Sequence, residues 1–221
     1  MKVVLTGEGG TFSAGGDFAD LTGTVADLAL ELEAQVALVF RLAHAVDKGE
    51  TAYARLLTPA IKFLICKSTP QIVYECLECL GGNGYTEDLP MARYFRESPL
   101  NAIWEGSGNV MALDVLRAAG RQPDEAMATV AALTKSASSA HDVRPLADQL
   151  GQILRSGDAE RRARFLCEGL ARIAALAALA DARSPFAPLY GATRFASRFA
   201  QYGTADLGSA EQALMDRALA T

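Results

Sequence analysis

The chain has 221 residues, with 21 basic and 26 acidic side chains and a net charge of −5. Half of it is apolar and 41 residues are alanine, which excludes disordered and fibrous classes. The acidic balance excludes a generally basic nucleic-acid binder. The longest compact apolar stretch, Ile173 to Ala180, is bounded by Arg172 and Asp181, far short of the ~20 residues of a membrane span. One lysine and an apolar run broken by Glu8 make no signal peptide. Cys66, Cys76, Cys79 and Cys167 form no disulfide framework. Together these features predict a cytoplasmic protein with no membrane attachment and no bound metal.

Val3-Val4-Leu5 reads as a short strand, followed by glycines at 7, 9, 10, 15 and 16. From Thr24 the period changes. Val25, Leu28, Leu32, Val36, Val39, Ala43 and Val46 step by three or four and predict one helical stripe facing the core. Thr24 and Asp27 resemble a capping box at its start, and Gly49 a stop. A second long helix is expected over Ala52–Leu80, kinked or restarted at Pro59 and Pro70 and ended by Gly81-Gly82. An irregular stretch to Gly108 holds one turn near Met91–Arg96. A helix through Val110, Leu113, Val115 and Leu116 is closed by Gly120. Further helices are expected at 123–137, 144–155, 158–183, 187–200 and 209–219. A lone strand builds no sheet, so the fold class is all-α.

The stretch with chemical content is LGGNGYTEDLPMARYFRESPLNAIWEGSGNV, Leu80 to Val110. Its Gly-Gly-x-Gly follows a helix, and glycines let backbone approach a ligand phosphate. Glu105 lies between Trp104 and Gly106 just before a helix. A carboxylate desolvated by a large aromatic becomes a stronger base. The same residues also read simply as a helix stop and a tight turn.

From about Val25 to Arg117 the sequence resembles the C-terminal domain of the acyl-CoA dehydrogenases, in the AidB-like branch linked to the adaptive response to alkylation. The ADLALELEA stretch (Ala26 to Ala34) and LGGNGYTEDLP carry much of that likeness. The resemblance implies a helical bundle, an acyl-CoA substrate, FAD and a homo-oligomer, dimer or tetramer. It makes Glu105 the catalytic base that takes the α-proton of the thioester, with Trp104 and Gly106 beside the substrate. The family's flavin contact from a neighbouring subunit, Gln-x-x-Gly-Gly, falls on Glu78, Gly81 and Gly82, with glutamate in place of glutamine. The polar pair after the glutamate becomes Ser107 and Asn109. The domains that precede this region in the family are not expected within the twenty-four residues before Val25.

VVLTGEGGTFSAGGDFADL, Val3 to Leu21, resembles an internal segment of the enoyl-CoA hydratase/isomerase (crotonase) family, with Ala14 matching an oxyanion-hole donor. One N–H makes no oxyanion hole, so this segment is expected to be catalytically silent. The expected division is therefore 1–21, a crotonase-like fragment; 22–120, the acyl-CoA-dehydrogenase-like helical domain; and 121–221, a helical extension.

Cys76 and Cys79 fall near a helix C-terminus, which disfavours a thiolate, and are expected to be core thiols. His44 and His141 are given structural or solvated roles. Arg161, Arg162, Arg164, Arg172 and Arg183 are placed on one helix and interleaved with acids; from residue 118 on there are 12 basic and 11 acidic side chains. An ion-paired, solvated face is the expectation, with DNA as the competing partner. Three functions compete: a flavin-dependent acyl-CoA dehydrogenase incomplete as a single chain, an inactive oligomerising helical module, and a DNA-associated alkylation-response accessory protein.

Overall fold

A computed structural model describes residues 18–196 and 209–219. The expected strand at Val3–Leu5 and nearly all of the crotonase-like segment lie outside the described residues. The described residues form helices and turns with no strand among them.

Helix α1 (Phe18–Asp47) starts six residues before Thr24. The expected capping box is therefore corrected: Asp27 is inside the helix and fully buried. The stripe is corrected too. Ala26, Leu30, Ala34, Leu38 and Ala45 face the core, whereas Leu32, Val36, Val39, Phe40 and Val46 are exposed, Phe40 at 72% and Val46 at 63%. Alanine and leucine line one side and larger side chains the other, so the helix is apolar on two faces. Periodicity alone cannot rank two faces. Gly49, with φ 71°, closes the helix as expected.

Helix α2 (Thr51–Cys79) runs unbroken through Pro59 and Pro70. Each proline removes one donor, yet apolar residues on both sides are buried, including Leu57, Ala60, Ile61, Phe63, Leu64, Ile72 and Val73. Tertiary packing therefore outweighs the local cost. Short helices α3 (Gly82–Tyr85) and α4 (Met91–Glu97) follow, then a 3₁₀ turn at Ser98–Ala102. Helix α5 (Gly108–Arg121) passes through Gly120 rather than stopping there. Arg55 holds it to α2 by a bidentate bond to Asp114, at 2.8 and 2.9 Å.

Helices α6 (Pro123–Ala137), α7 (Arg144–Leu154), α8 (Ala163–Asp181), α9 (Ala187–Arg194) and α10 (Ala210–Leu219) complete the chain. Proline opens α6, with Asp124 and Glu125 in its first turn and Lys135 in its last, the charge order a helix dipole favours. The apolar run Ile173 to Leu179 is buried all round, which makes α8 the central helix, packed against α1, α2, α5, α6, α7 and α9. One buried cluster joins Ala26 of α1 to Leu214 of α10, so helices before and after residue 120 share a core.

The expected helix over 158–183 is split into a 3₁₀ turn at Ala159–Arg162 and α8. Of its arginines, Arg172 pairs with Glu168 at 2.9 Å, whereas Arg164 donates to the neutral Asn109 at 2.8 Å. The interleaved acids are thus only partly used for pairing. His44 is exposed. His141 stacks on Phe195 at 5.8 Å and packs against Gly191, where an added Cβ would collide with it. Burial pushes the Cys76 thiol up to about 11 and the Cys167 thiol up to about 12, as inert packed thiols require.

Beside the apolar core lies a buried ionic cluster that the sequence did not announce. Arg194 of α9 contacts Asp27 Oδ1 at 2.6 Å and donates to Glu31 Oε2 at 2.7 Å and to the Asp27 carbonyl at 3.0 Å. Gln35 donates to Glu31 at 3.2 Å and to Ser68 at 2.9 Å. Burial alone raises the Glu31 pKa, but attraction to Arg194 and Arg172 and bonds from Arg194 and Gln35 outweigh it, and the net shift is downward. A carboxylate with a lowered folded pKa stabilises the fold above its unfolded value and loses that contribution as pH falls through the folded value. Arg194→Met is expected to cost ~3–5 kcal/mol, because two buried carboxylates lose their partner. In urea titrations over a pH series, the wild type should weaken as pH drops below Glu31's ordinary 4.5, and the variant should show a shallower acid limb.

Candidate active site

Glu105 sits in a turn between the 3₁₀ segment and α5, and the turn has an unusual backbone. Glu105 has φ 53° and Gly106 φ 106°. A left-handed residue other than glycine costs roughly 1–2 kcal/mol and persists only where its surroundings impose it. At Gly106 the conformation favours glycine, and a Cβ would also meet Met111 Cε at 2.5 Å.

The imposing group is Lys62 on α2. Its Nζ donates to the carbonyls of Asn101 at 3.3 Å, Trp104 at 3.0 Å and Gly106 at 2.9 Å. One ammonium thus brackets Glu105 on both sides. Sequence reasoning missed Lys62. It is 43 positions from Glu105 and its partners are backbone atoms, which leave no residue signature.

Glu105 and Trp104 are both exposed, Trp104 at 56%. Among the described residues nothing desolvates the carboxylate, so the burial that would strengthen it as a base has to come from another surface. Ile103, next to Trp104, is exposed as well, so the apolar side chains preceding Glu105 face outward without closing over it. Patches of this kind mark contact sites.

Ser107 is the N-cap of α5, with extended backbone and no side-chain cap, and Gly108 is buried behind it. Asn109 presents its Oδ1 to Arg164. Gly81 and Gly82 are elsewhere. They follow α2, Gly81 with φ 55°, and a Cβ at Gly82 would meet nothing. Glu78 does not point its charge at them freely: Tyr74 donates to its Oε1 at 3.1 Å, one turn back along α2. The structure therefore brings Trp104, Glu105, Gly106, Ser107 and Asn109 together and leaves Glu78, Gly81 and Gly82 apart. From Lys62 to Cys79 the helix rises by about 25 Å at 1.5 Å per residue.

The donor set suits an anionic cofactor in two halves. One half is the open Gly81-Gly82 backbone, with the glutamate held aside. The other is the uncapped start of α5, whose first turn contains no acid.

Residues 11–120 match the family described as acyl-CoA dehydrogenase, C-terminal domain. This part of the chain belongs to the acyl-CoA dehydrogenase family. The match takes in Thr11 to Leu21, which the sequence reading grouped with the crotonase-like segment. The chain is 54% identical over 99 residues to AidB of Escherichia coli K12, named as an acyl-CoA dehydrogenase, covering 43% of this chain and 18% of that protein. It is 34% identical over 104 residues to acyl-CoA dehydrogenase family member 11 of Caenorhabditis elegans, covering 43% of this chain and 17% of that one. The chain thus spans about a fifth of the length of these curated relatives.

Its fold is similar to that of Caenorhabditis elegans ACDH-11, solved in complex with C11-CoA, with a TM-score of 0.67 at 25% identity over 90% of this chain and 39% of that one. A second likeness, to the apo-form of Bd2924, has a TM-score of 0.58 at 28% identity and covers 68% of this chain and 31% of that one. Both coverages exceed residues 11–120, so the likeness continues into the helices of the extension.

If Lys62 holds the turn, Lys62→Met should release it while the bundle remains helical. Trp104 is the single tryptophan and reports on the site directly. The expected outcome is lower Trp104 fluorescence anisotropy, unchanged far-ultraviolet circular dichroism, and a stability loss of about 1 kcal/mol, below the usual range for charge-assisted bonds because the ammonium is partly solvated.

Proposed function

We propose that this chain supplies the base and one cofactor cradle of a flavin-dependent acyl-CoA dehydrogenase, working as an assembly of copies. The observation that carries this reading is the left-handed Glu105, bracketed by the Lys62 clamp, inside the segment that matches the family. Residues 22–120 are the unit of that chemistry, and the helices of 121–221 brace it through the shared core.

Glu105 takes the proton α to the thioester carbonyl, the hydrogen that the thioester acidifies. FAD, when bound, accepts the hydride from the β-carbon. Trp104 and Gly106 flank the acyl chain at that turn. Lys62 fixes the carboxylate's approach by holding the carbonyls on either side of it. Backbone donors at Gly81-Gly82 of one copy and at Ser107 and Asn109 of another hold the cofactor's anionic part, which accommodates the separation along α2. Covering the exposed turn excludes water from Glu105 and raises its basicity.

The test combines the protein with FAD, acyl-CoA thioesters of graded chain length and an artificial electron acceptor. Glu105→Gln keeps shape and hydrogen bonding but cannot accept the proton. It is expected to lower turnover by at least ~10²-fold with flavin binding unchanged. Turnover that survives the substitution would remove Glu105 from the role of base.

The exposed face of α1 is the proposed contact between copies. Leu32, Val36, Val39, Phe40 and Val46 form a continuous apolar stripe of the kind that isologous interfaces bury. Phe40→Glu is expected to shift the sedimentation profile towards monomer with little change in melting temperature, since Phe40 contributes little to the core.

A further inference from the structure

A cavity of about 440 Å³ opens between α1, the start of α2, α6 and α8, and no residue of the Glu105 turn lines it. Its charged lining is one cation, Arg41, and three carboxylates, Glu50, Glu125 and Asp181. Arg41 and Glu50 neutralise each other at 2.6 Å. Glu125 and Asp181 are exposed and make no ion pair among the described residues. Glu125 is in the first turn of α6, where the helix dipole favours it. Asp181 is in the last turn of α8, an end of partial negative charge with no basic residue. Its one donor is the neutral Ser136 hydroxyl at 2.5 Å.

Two donors on the same walls have the opposite shortage. Tyr53 is 8% exposed, and its hydroxyl has no hydrogen-bond partner. Arg41 lies over the Tyr53 ring at 4.2 Å, and its buried Nη1 has no partner either. Burial pushes the Tyr53 pKa up to about 12; Arg41 lowers it, and Glu50 and Asp181 raise it. The phenol therefore keeps its proton and stands within the field of Asp181. A buried donor without an acceptor is destabilising. The cavity thus lacks an acceptor beside Arg41 and Tyr53 and a cation beside Asp181. Water supplies the first and not the second.

We propose that this cavity binds a free basic α-amino acid, with its carboxylate on Arg41 Nη1 and the Tyr53 hydroxyl, its α-ammonium on Asp181 and its side-chain cation towards Glu125. A zwitterion carries both missing charges on one carbon, which no simple ion does. Ala128 and Ala132 of α6 and Ala177 and Ala178 of α8 offer an apolar floor to a methylene chain. From Glu125 to Ser136, beside Asp181, α6 rises by about 16 Å at 1.5 Å per residue, a gap that selects a long side chain. The volume lies within the usual range for ligand pockets. The site joins the family-matched helices to the extension, because Arg41 and Tyr53 precede residue 120 and Glu125 and Asp181 follow it. It does not rest on Glu105 or on turnover.

Isothermal titration calorimetry of the intact chain with L-arginine, then with agmatine, the same molecule without its carboxylate, tests the site. Saturable binding of L-arginine is expected. It should be at least about tenfold tighter than that of agmatine, and at least about tenfold weaker in Tyr53→Phe and in Asp181→Asn. Asp148→Asn, at an acid outside the cavity, should leave it unchanged. L-Norleucine, which has a long side chain without the cation, should bind more weakly than L-arginine. Without ligand, Tyr53→Phe should melt no lower than the wild type, because the hydroxyl it removes has no partner. No saturable binding of L-arginine, or binding indifferent to both substitutions, overturns the proposal. Agmatine or L-norleucine binding as tightly as L-arginine does so too, as does a ligand-free Tyr53→Phe that melts lower.

Discussion

Everything in this fold depends on one buried arginine. Asp27 and Glu31 lie one turn apart on the face of α1 that packs inward, and Gln35 continues the row. Two buried carboxylates without a partner would prevent that face from packing, because each ion pays several kcal/mol of lost hydration. Arg194 answers both at once from α9, 163 residues from Glu31 in the chain. Burial of this face of α1 therefore depends on α9. The helices beyond residue 120 are a condition for burying the first helix of the family-type unit, not an appendage to it.

That dependence explains where the sequence could be read and where it misled. Element positions were legible from proline, glycine and apolar spacing, and α6, α7 and α10 fall almost residue for residue where those signals put them. Orientation was less so. The larger apolar residues of α1 suggested the core face, yet that face is exposed. The core side is built from alanine, leucine and three polar residues. A pattern method counts Asp27 and Glu31 as surface because it cannot see a partner that arrives from the far end of the chain. The same blindness turned Asp27 into a capping residue. The prolines of α2 misled in the opposite direction: the local rule was sound, but burial on both sides of each proline overrode it.

The Glu105 turn follows the same logic at smaller scale. Glu105 and its neighbours could be named from the sequence because they are side chains in a recognisable order. Lys62 was not, because what it recognises is three carbonyls, and any sequence at Asn101, Trp104 and Gly106 would offer the same atoms. The strain at Glu105 and the clamp at Lys62 belong together. A left-handed carboxylate in an exposed turn would relax if no group imposed it, and three bonds to one ammonium are what oppose the relaxation.

Helix α2 then acts as a ruler between the two halves of the site. Lys62 fixes the glutamate turn near the middle of the helix, and Gly81-Gly82 lie past its end, about 25 Å further on at 1.5 Å per residue. An unbroken helix cannot fold back to bring the two together, and the survival of α2 through Pro59 and Pro70 makes the separation permanent. On the proposed function, two cradles held apart by a rigid rod serve one cofactor only if each meets the other kind from a second copy. The stripe of α1 is apolar and exposed, which is what such an encounter needs. The features that look unfinished in one copy, the exposed Ile103 and Trp104 beside Glu105 and the exposed apolar face of α1, are the two that the proposed association of copies would cover.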